Sequence, residues 1–165
     1  MKDFLTLKEF IAFAKGGKSI ILKTEDIMNV RKTRLVLEEL MKSCQIYGVN
    51  TGIGAMYKQK IADEDFEEFQ KNLILSHAAG VGGPMDKDIT RGALFLLINT
   101  LKKGYSGIRF ETLDFLVEMF NKELIPVVPD TGSLGASGDL IPLAHLALPL
   151  IGKGLIWPRR GEKSE

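Results

Sequence analysis

Cysteine is nearly absent, with Cys44 the only one in 165 residues. A single thiol excludes an intramolecular disulfide and any multi-cysteine metal site, and it fits a reducing compartment. Histidine is almost as scarce. His77 and His145 lie far apart in the chain and are too few for a histidine metal site. Taken alone, each reads as a polar group at the end or face of a packed helix. Neither sign of charge dominates: 22 Lys+Arg stand against 21 Asp+Glu, a net charge of +1. That gives no support to a surface built for counterion release from nucleic acid or for steering strongly acidic substrates, and no nucleic-acid partner is expected. Long hydrophobic runs are missing too. The most apolar stretch, residues 140–151, is interrupted by Pro142, His145 and Pro149 and is too short to cross about 30 Å of hydrocarbon. The start, Met1-Lys2-Asp3-Phe4, lacks the pattern of a signal peptide, so no membrane partner and a cytoplasmic location are expected.

What is present suits one domain, or one large piece of something bigger. Hydrophobic residues make up 45% and charged residues 26%, enough to bury a real core. Helical periodicity dominates. Thr6-x-x-Glu9 forms a capping box before Phe10, Ile11 and Phe13, and Gly16-Gly17 follows as a stop. Thr24 or Asp26 caps a long helix through Met41. Asp63 opens a run that ends near Gly80, residues 86–103 read as a buried helix, and residues 110–121 place Leu113, Leu116, Val117 and Phe120 on one side. A last helix runs from Asp139 to about Gly152, with Pro142 tolerated in its first turn and Pro149 kinking or ending it. The fold class is therefore mainly α, with short strands expected near 19–22, 45–47 and 154–157.

Two glycine-rich loops interrupt the helices, at residues 47–54 and 132–138. Neither is a phosphate cradle: no G-x-x-x-x-G-K-S/T occurs, and no G-x-G-x-x-G follows a strand. Ser137 lies in Gly-Ala-Ser-Gly-Asp, which is not a nucleophile elbow, and only His77 and His145 could serve it as a base. The triplet Ala136-Ser137-Gly138 has a chemistry of its own. If the backbone nitrogen of Gly138 attacks the carbonyl carbon of Ala136, a five-membered ring closes. Loss of one water from the ring and one from Ser137 leaves an exocyclic methylidene, an electrophile made from the chain itself. Ala136 keeps the site uncrowded, Ser137 supplies the leaving hydroxyl, and Gly138 has no Cβ to block its nitrogen. For a bare Ala-Ser-Gly, a helix-entry loop with Ser137 as a cap is the simpler reading.

The company of the triplet reverses that choice. Gly132-Ser-Leu-Gly-Ala-Ser-Gly-Asp-Leu-Ile-Pro-Leu-Ala-His145 resembles the signature of the aromatic amino-acid ammonia-lyases, which carry the cofactor 4-methylidene-imidazol-5-one (MIO) made from Ala-Ser-Gly. Tyr47-Gly-Val-Asn-Thr-Gly-Ile-Gly54 resembles the family's catalytic-tyrosine loop. Leu75-Ser-His-Ala-Ala-Gly-Val-Gly82 resembles the substrate-pocket segment of histidine ammonia-lyases, and Gly104-Tyr-Ser-Gly-Ile-Arg109 also fits. The likeness runs from about Ile20 to Gly154.

The resemblance implies that residues 1–165 are the N-terminal, MIO-bearing portion of such an enzyme, with the C-terminal helical portion lying outside this sequence. It implies elimination of ammonia from L-histidine to give urocanate, a step of histidine catabolism. Tyr47 is the implied base for the β-proton, His77 lines the substrate ring pocket, and Asp139 supports the cofactor loop formed by Ala136, Ser137 and Gly138. The family's later Asn, Tyr, Arg, Gln and Glu residues, including the arginine that clamps the substrate carboxylate, lie beyond Glu165. Arg91 and Arg109 match no such motif and read as structural. Family enzymes are tetramers whose sites draw on more than one subunit. The expectation is thus a chain inactive alone, a fragment or one half of a split enzyme that needs a complementary C-terminal chain. His in the pocket also occurs in tyrosine lyases and aminomutases, so tyrosine or phenylalanine remains an alternative substrate, and a catalytically silent fragment an alternative role. An apolar surface is expected on residues 86–103 or 139–152, where the remainder would pack.

Overall fold

A computed structural model describes residues 5–136 and 138–158. Six α-helices are described: α1 (Leu7–Ala14), α2 (Thr24–Met41), α3 (Phe66–His77), α4 (Lys87–Leu101), α5 (Phe110–Asn121) and α6 (Leu140–Ala147). Two short strands, β1 (Val81–Pro84) and β2 (Pro129–Thr131), pair antiparallel.

Local chemistry accounts for most helix ends. Thr6 Oγ1 accepts from the Glu9 N–H at 3.3 Å, and Glu9 Oε2 accepts from the Thr6 N–H at 2.9 Å, the reciprocal pair that the Thr6-x-x-Glu9 spacing predicts. At α2 the cap differs from expectation. Lys23 is the N-cap, and Asp26 reaches back to accept its N–H at 3.0 Å. Pro149 ends α6 as its missing N–H requires: the α-helix stops at Ala147, and a 3-10 turn continues over Leu148–Ile151.

The core lies where α1, α4 and α5 meet. Leu94, Phe95 and Ile98 of α4 pack with Leu113, Leu116 and Phe120 of α5, and Ile125, Val128 and Leu146 extend the cluster toward α6. Phe13 stacks on Phe95 with centroids 4.2 Å apart. Full burial of each such side chain contributes roughly 1.5–3 kcal/mol. Through this apolar cluster runs one charge. Arg91, 2% exposed, donates from Nε to the Phe13 carbonyl at 2.9 Å and from Nη1 to the Phe120 carbonyl at 3.1 Å. It also pairs with Glu123 at 2.8 Å and lies 3.9 Å over the Phe120 ring. One guanidinium therefore serves the C-terminal carbonyls of both α1 and α5, where a cation is favoured. This accords with its structural reading.

Two of the expected strands are corrected. Residues 19–22 form no strand, and Asn121 takes the place of a neighbouring strand. Its Oδ1 accepts from the Ile20 N–H at 2.8 Å, and its Nδ2 donates to the Ile20 carbonyl at 2.9 Å. Around residues 45–47 Asn50 does the same, accepting from the Ile46 N–H at 2.7 Å and donating to the Cys44 carbonyl at 2.9 Å. The third forms only an isolated antiparallel bridge, Ile156 to Pro126.

α2 leaves four apolar side chains exposed, Met28, Leu35, Val36 and Leu40, set among charged ones such as Lys32 and Glu39, and Val30 is the helix's only buried residue. Ile89 and Leu96 of α4 and Leu140 and Leu143 of α6 are also exposed. The apolar surface expected on those two elements is present, and α2 adds the larger share. Among the described residues, no helix is long and apolar enough to cross a membrane.

Candidate functional site

The loop carrying Tyr47 is held from within. Asn50 and Thr51 are buried in its middle, at 6% and 2% exposure, while Tyr47 itself is 64% exposed. Asn50 Nδ2 also donates to the Met41 carbonyl at 3.3 Å, which anchors the loop to the end of α2. The Gly54 N–H donates to Tyr47 Oη at 3.1 Å, a backbone donor aimed at the phenol oxygen. Asn50 is a supporting residue that the motif reading passed over. Its signal in the sequence is a polar side chain flanked by glycines, where a loop needs internal partners.

His77 is the last residue of α3. Its Nδ1 lies 2.8 Å from the Leu73 carbonyl and 3.1 Å from Ser76 Oγ. A carbonyl only accepts, so the neutral ring carries its proton on Nδ1 and keeps Nε2 as an acceptor. Three residues later the chain meets α6. The Gly80 N–H donates to His145 Nε2 at 3.1 Å. A Cβ at Gly80 would sit 3.0 Å from His145 Nε2 and 3.0 Å from Pro129 Cβ, so only glycine fits without displacement. A Cβ placed on Gly132 would come within 3.4 Å of the Gly80 Cα. The strand pair β1–β2 continues this contact, with Val81 opposite Thr131.

The His77 segment and the loop at residues 132–138 are thus brought together at Gly80. Ser137 lies outside the described residues. On either side of it, Ala136 and Gly138 share an isolated backbone bridge. Gly138 has φ +90° with no atom within 4 Å of where a Cβ would be. A left-handed backbone that only glycine adopts readily, with open space beside it, fits the role of Gly138 in the ring-forming chemistry of Ala-Ser-Gly. Asp139 is the N-cap residue of α6, and its Oδ1 accepts from Ser133 Oγ at 2.7 Å. Ser133 Oγ in turn accepts from the Gly135 N–H at 3.3 Å. Asp139 therefore ties the two ends of the loop together.

Not all the candidate residues meet. Among the described residues, no hydrogen bond or ion pair joins Tyr47 to His77, Ala136 or Gly138. A cavity of about 370 Å³ between α4, β2 and α6 borders the loop through Ser133 and Asp139, but neither Tyr47 nor His77 lines it. Among the described residues, no group of three or more His, Cys, Asp or Glu could hold a metal. Burial holds the His145 imidazole below its ordinary pKa, which keeps Nε2 free to accept from Gly80.

A family model for aromatic amino acid lyases matches residues 5–164. The chain belongs to that family. It is 46% identical over 151 residues to a histidine ammonia-lyase of Alkaliphilus oremlandii, covering 91% of this chain and 30% of that enzyme. Its fold is similar to tyrosine aminomutase from Streptomyces globisporus (TM-score 0.87, 35% identity, 94% of this chain and 29% of that one). It is also similar to histidine ammonia-lyase from Trypanosoma cruzi (TM-score 0.84, 35% identity, 94% and 30%). The chain spans about 30% of the length of the curated relatives it matches. A member of an enzyme family, it has the helical fold of part of these lyases and aminomutases.

Proposed function

We propose that this chain is the MIO-bearing portion of an ammonia-lyase that converts L-histidine to urocanate and ammonia, acting with a complementary C-terminal portion in a homo-oligomer. The observation that carries the reading is the contact at Gly80 of the His77 segment with His145 of α6 and with Gly132, which opens the loop bearing Ala136 and Gly138. Identity of 46% to a histidine ammonia-lyase supports the substrate.

Ala136, Ser137 and Gly138 would form the ring, which would supply an electrophile for the substrate amine. The chain's other residues position and move protons. Tyr47 Oη acts as the base in its ionised form, whose charge the Gly54 N–H faces, and becomes the neutral phenol on taking the β-proton. His77, its proton fixed on Nδ1 by Leu73, offers Nε2 to a donor on the substrate ring. Asp139 and Ser133 hold the ends of the cofactor loop. The clamp for the substrate carboxylate comes from the C-terminal portion, so the chain alone is inactive, because positioning supplies several kcal/mol of the barrier reduction.

The likeness to tyrosine aminomutase supports tyrosine as the second choice of substrate. The test is turnover of L-histidine against L-tyrosine by the chain mixed with a polypeptide supplying the family's C-terminal portion. Urocanate from L-histidine is expected. Faster turnover of tyrosine overturns the substrate, a β-amino acid product overturns the reaction, and activity of the chain by itself overturns the need for a second portion.

A further inference from the structure

His145 takes no part in that chemistry, yet it occupies the junction on which the site depends. It lies on α6, six residues after Asp139, and α6 packs against α3, the helix that ends in His77. Its Nε2 accepts the Gly80 N–H, and a side chain on residue 80 would have to push that nitrogen or Pro129 aside. A backbone N–H can only donate. The bond therefore exists only while Nε2 carries a lone pair, with the ring proton on Nδ1.

We propose that His145 is a positioning residue, a neutral acceptor that latches the His77 segment to the helix following the cofactor loop and so fixes the distance between substrate pocket and electrophile. The inference rests on the reading of Tyr47, His77 and the Ala136–Gly138 loop given above. Protonation of His145 places a second donor against the Gly80 N–H and opens the latch. The ionisable groups on the elements packed around it are engaged elsewhere or lie away from it. On α3, Glu67 is paired with Lys71 and His77 is engaged with Leu73, while Glu68 lies in the first turn, remote along the helix from Gly80. Asp130 of β2 accepts from Thr131, and Asp139 of α6 accepts from Ser133. The 3-10 turn Leu148–Ile151 has no ionisable side chain.

Two substitutions separate the latch from mere packing. His145→Gln keeps an acceptor at the ε position and does not titrate, whereas His145→Leu keeps bulk and removes the acceptor. Hydrogen exchange of the Gly80 amide, followed by NMR on the full chain, reads the bond directly. We expect protection in the wild type and in His145→Gln, and about tenfold faster exchange in His145→Leu, in line with the loss of one hydrogen bond. Acidification through the His145 titration reproduces that loss in the wild type but not in His145→Gln. In the complemented enzyme, kcat/KM for L-histidine falls in His145→Leu and is restored in His145→Gln. Equal protection of Gly80 in all three proteins overturns the latch, as does a Gln variant as impaired as the Leu variant. The exchange measurement needs no turnover. A protected, His145-dependent Gly80 in an assembly that acts on no amino acid would leave the latch standing and overturn the proposed function.

Discussion

Replacing Arg91 by alanine removes the charge that ties α1, α4 and α5 together. The guanidinium is 2% exposed and holds the Phe13 and Phe120 carbonyls at 2.9 and 3.1 Å, with a longer contact to Lys18 at 3.4 Å. Truncation strands those carbonyls at two helix ends and leaves Glu123, whose side chain is 29% exposed, without its partner. Removing one member of a buried ion pair costs about 3–5 kcal/mol. Water reaching Glu123 lowers that figure, while the orphaned carbonyls, at about 1–3 kcal/mol for each that stays dry, raise it. A cost of about 4 kcal/mol is a large part of the roughly 5–15 kcal/mol available to a domain. With a urea slope of about 2 kcal/mol/M, the unfolding midpoint falls by roughly 2 M at unchanged slope. Arg91→Lys recovers only part of the loss, because one ammonium cannot span two helix ends. A midpoint within about 0.5 M of wild type for Arg91→Ala would refute the assignment of Arg91 as the staple of this core.

Thr6→Ala breaks the reciprocal cap of α1 and lowers stability by about 1 kcal/mol in a thermal melt, with helix content otherwise kept. Gly80→Ala drives a methyl against His145 and Pro129 and costs about 1–3 kcal/mol in denaturant, with the largest NMR shift changes in residues 77–82 and 129–145. Stability also depends on pH through His145. Its folded pKa lies below the unfolded value, so the contribution is complete above the ordinary histidine range and is lost as pH falls through the folded pKa. Urea midpoints measured from about pH 7.5 to 5 fall in the wild type and fall less in His145→Gln.

Helix positions were readable where a local rule acts alone. Thr6-x-x-Glu9 marked the start of α1, the spacing of Leu113, Leu116, Val117 and Phe120 marked the buried face of α5, and Pro149 marked the end of α6. The strands were not readable in this way. Residues 19–22 have a strand's composition, but Asn121, a hundred positions away, supplies the hydrogen bonds that a neighbouring strand would give. Conversely, β1 is Val-Gly-Gly-Pro, a sequence with little strand propensity, and it pairs with β2 because the fold brings Val81 opposite Thr131. The motif loops stood out in the sequence because their glycines and small residues have no helical use. Their supports did not, since Asn50, Gly80 and His145 act through contacts whose partners only the fold supplies.

The central claim is that Ala136, Ser137 and Gly138 condense into the electrophile. Its most direct test is the intact mass of this chain, isolated from an assembly with the family's C-terminal portion and fragmented to locate any change. A chain lighter by two waters is expected, with the deficit confined to residues 136–138 and absent in Ser137→Ala. A full, unmodified mass in that assembly would contradict it, and decisively so if the same sample still released urocanate from L-histidine.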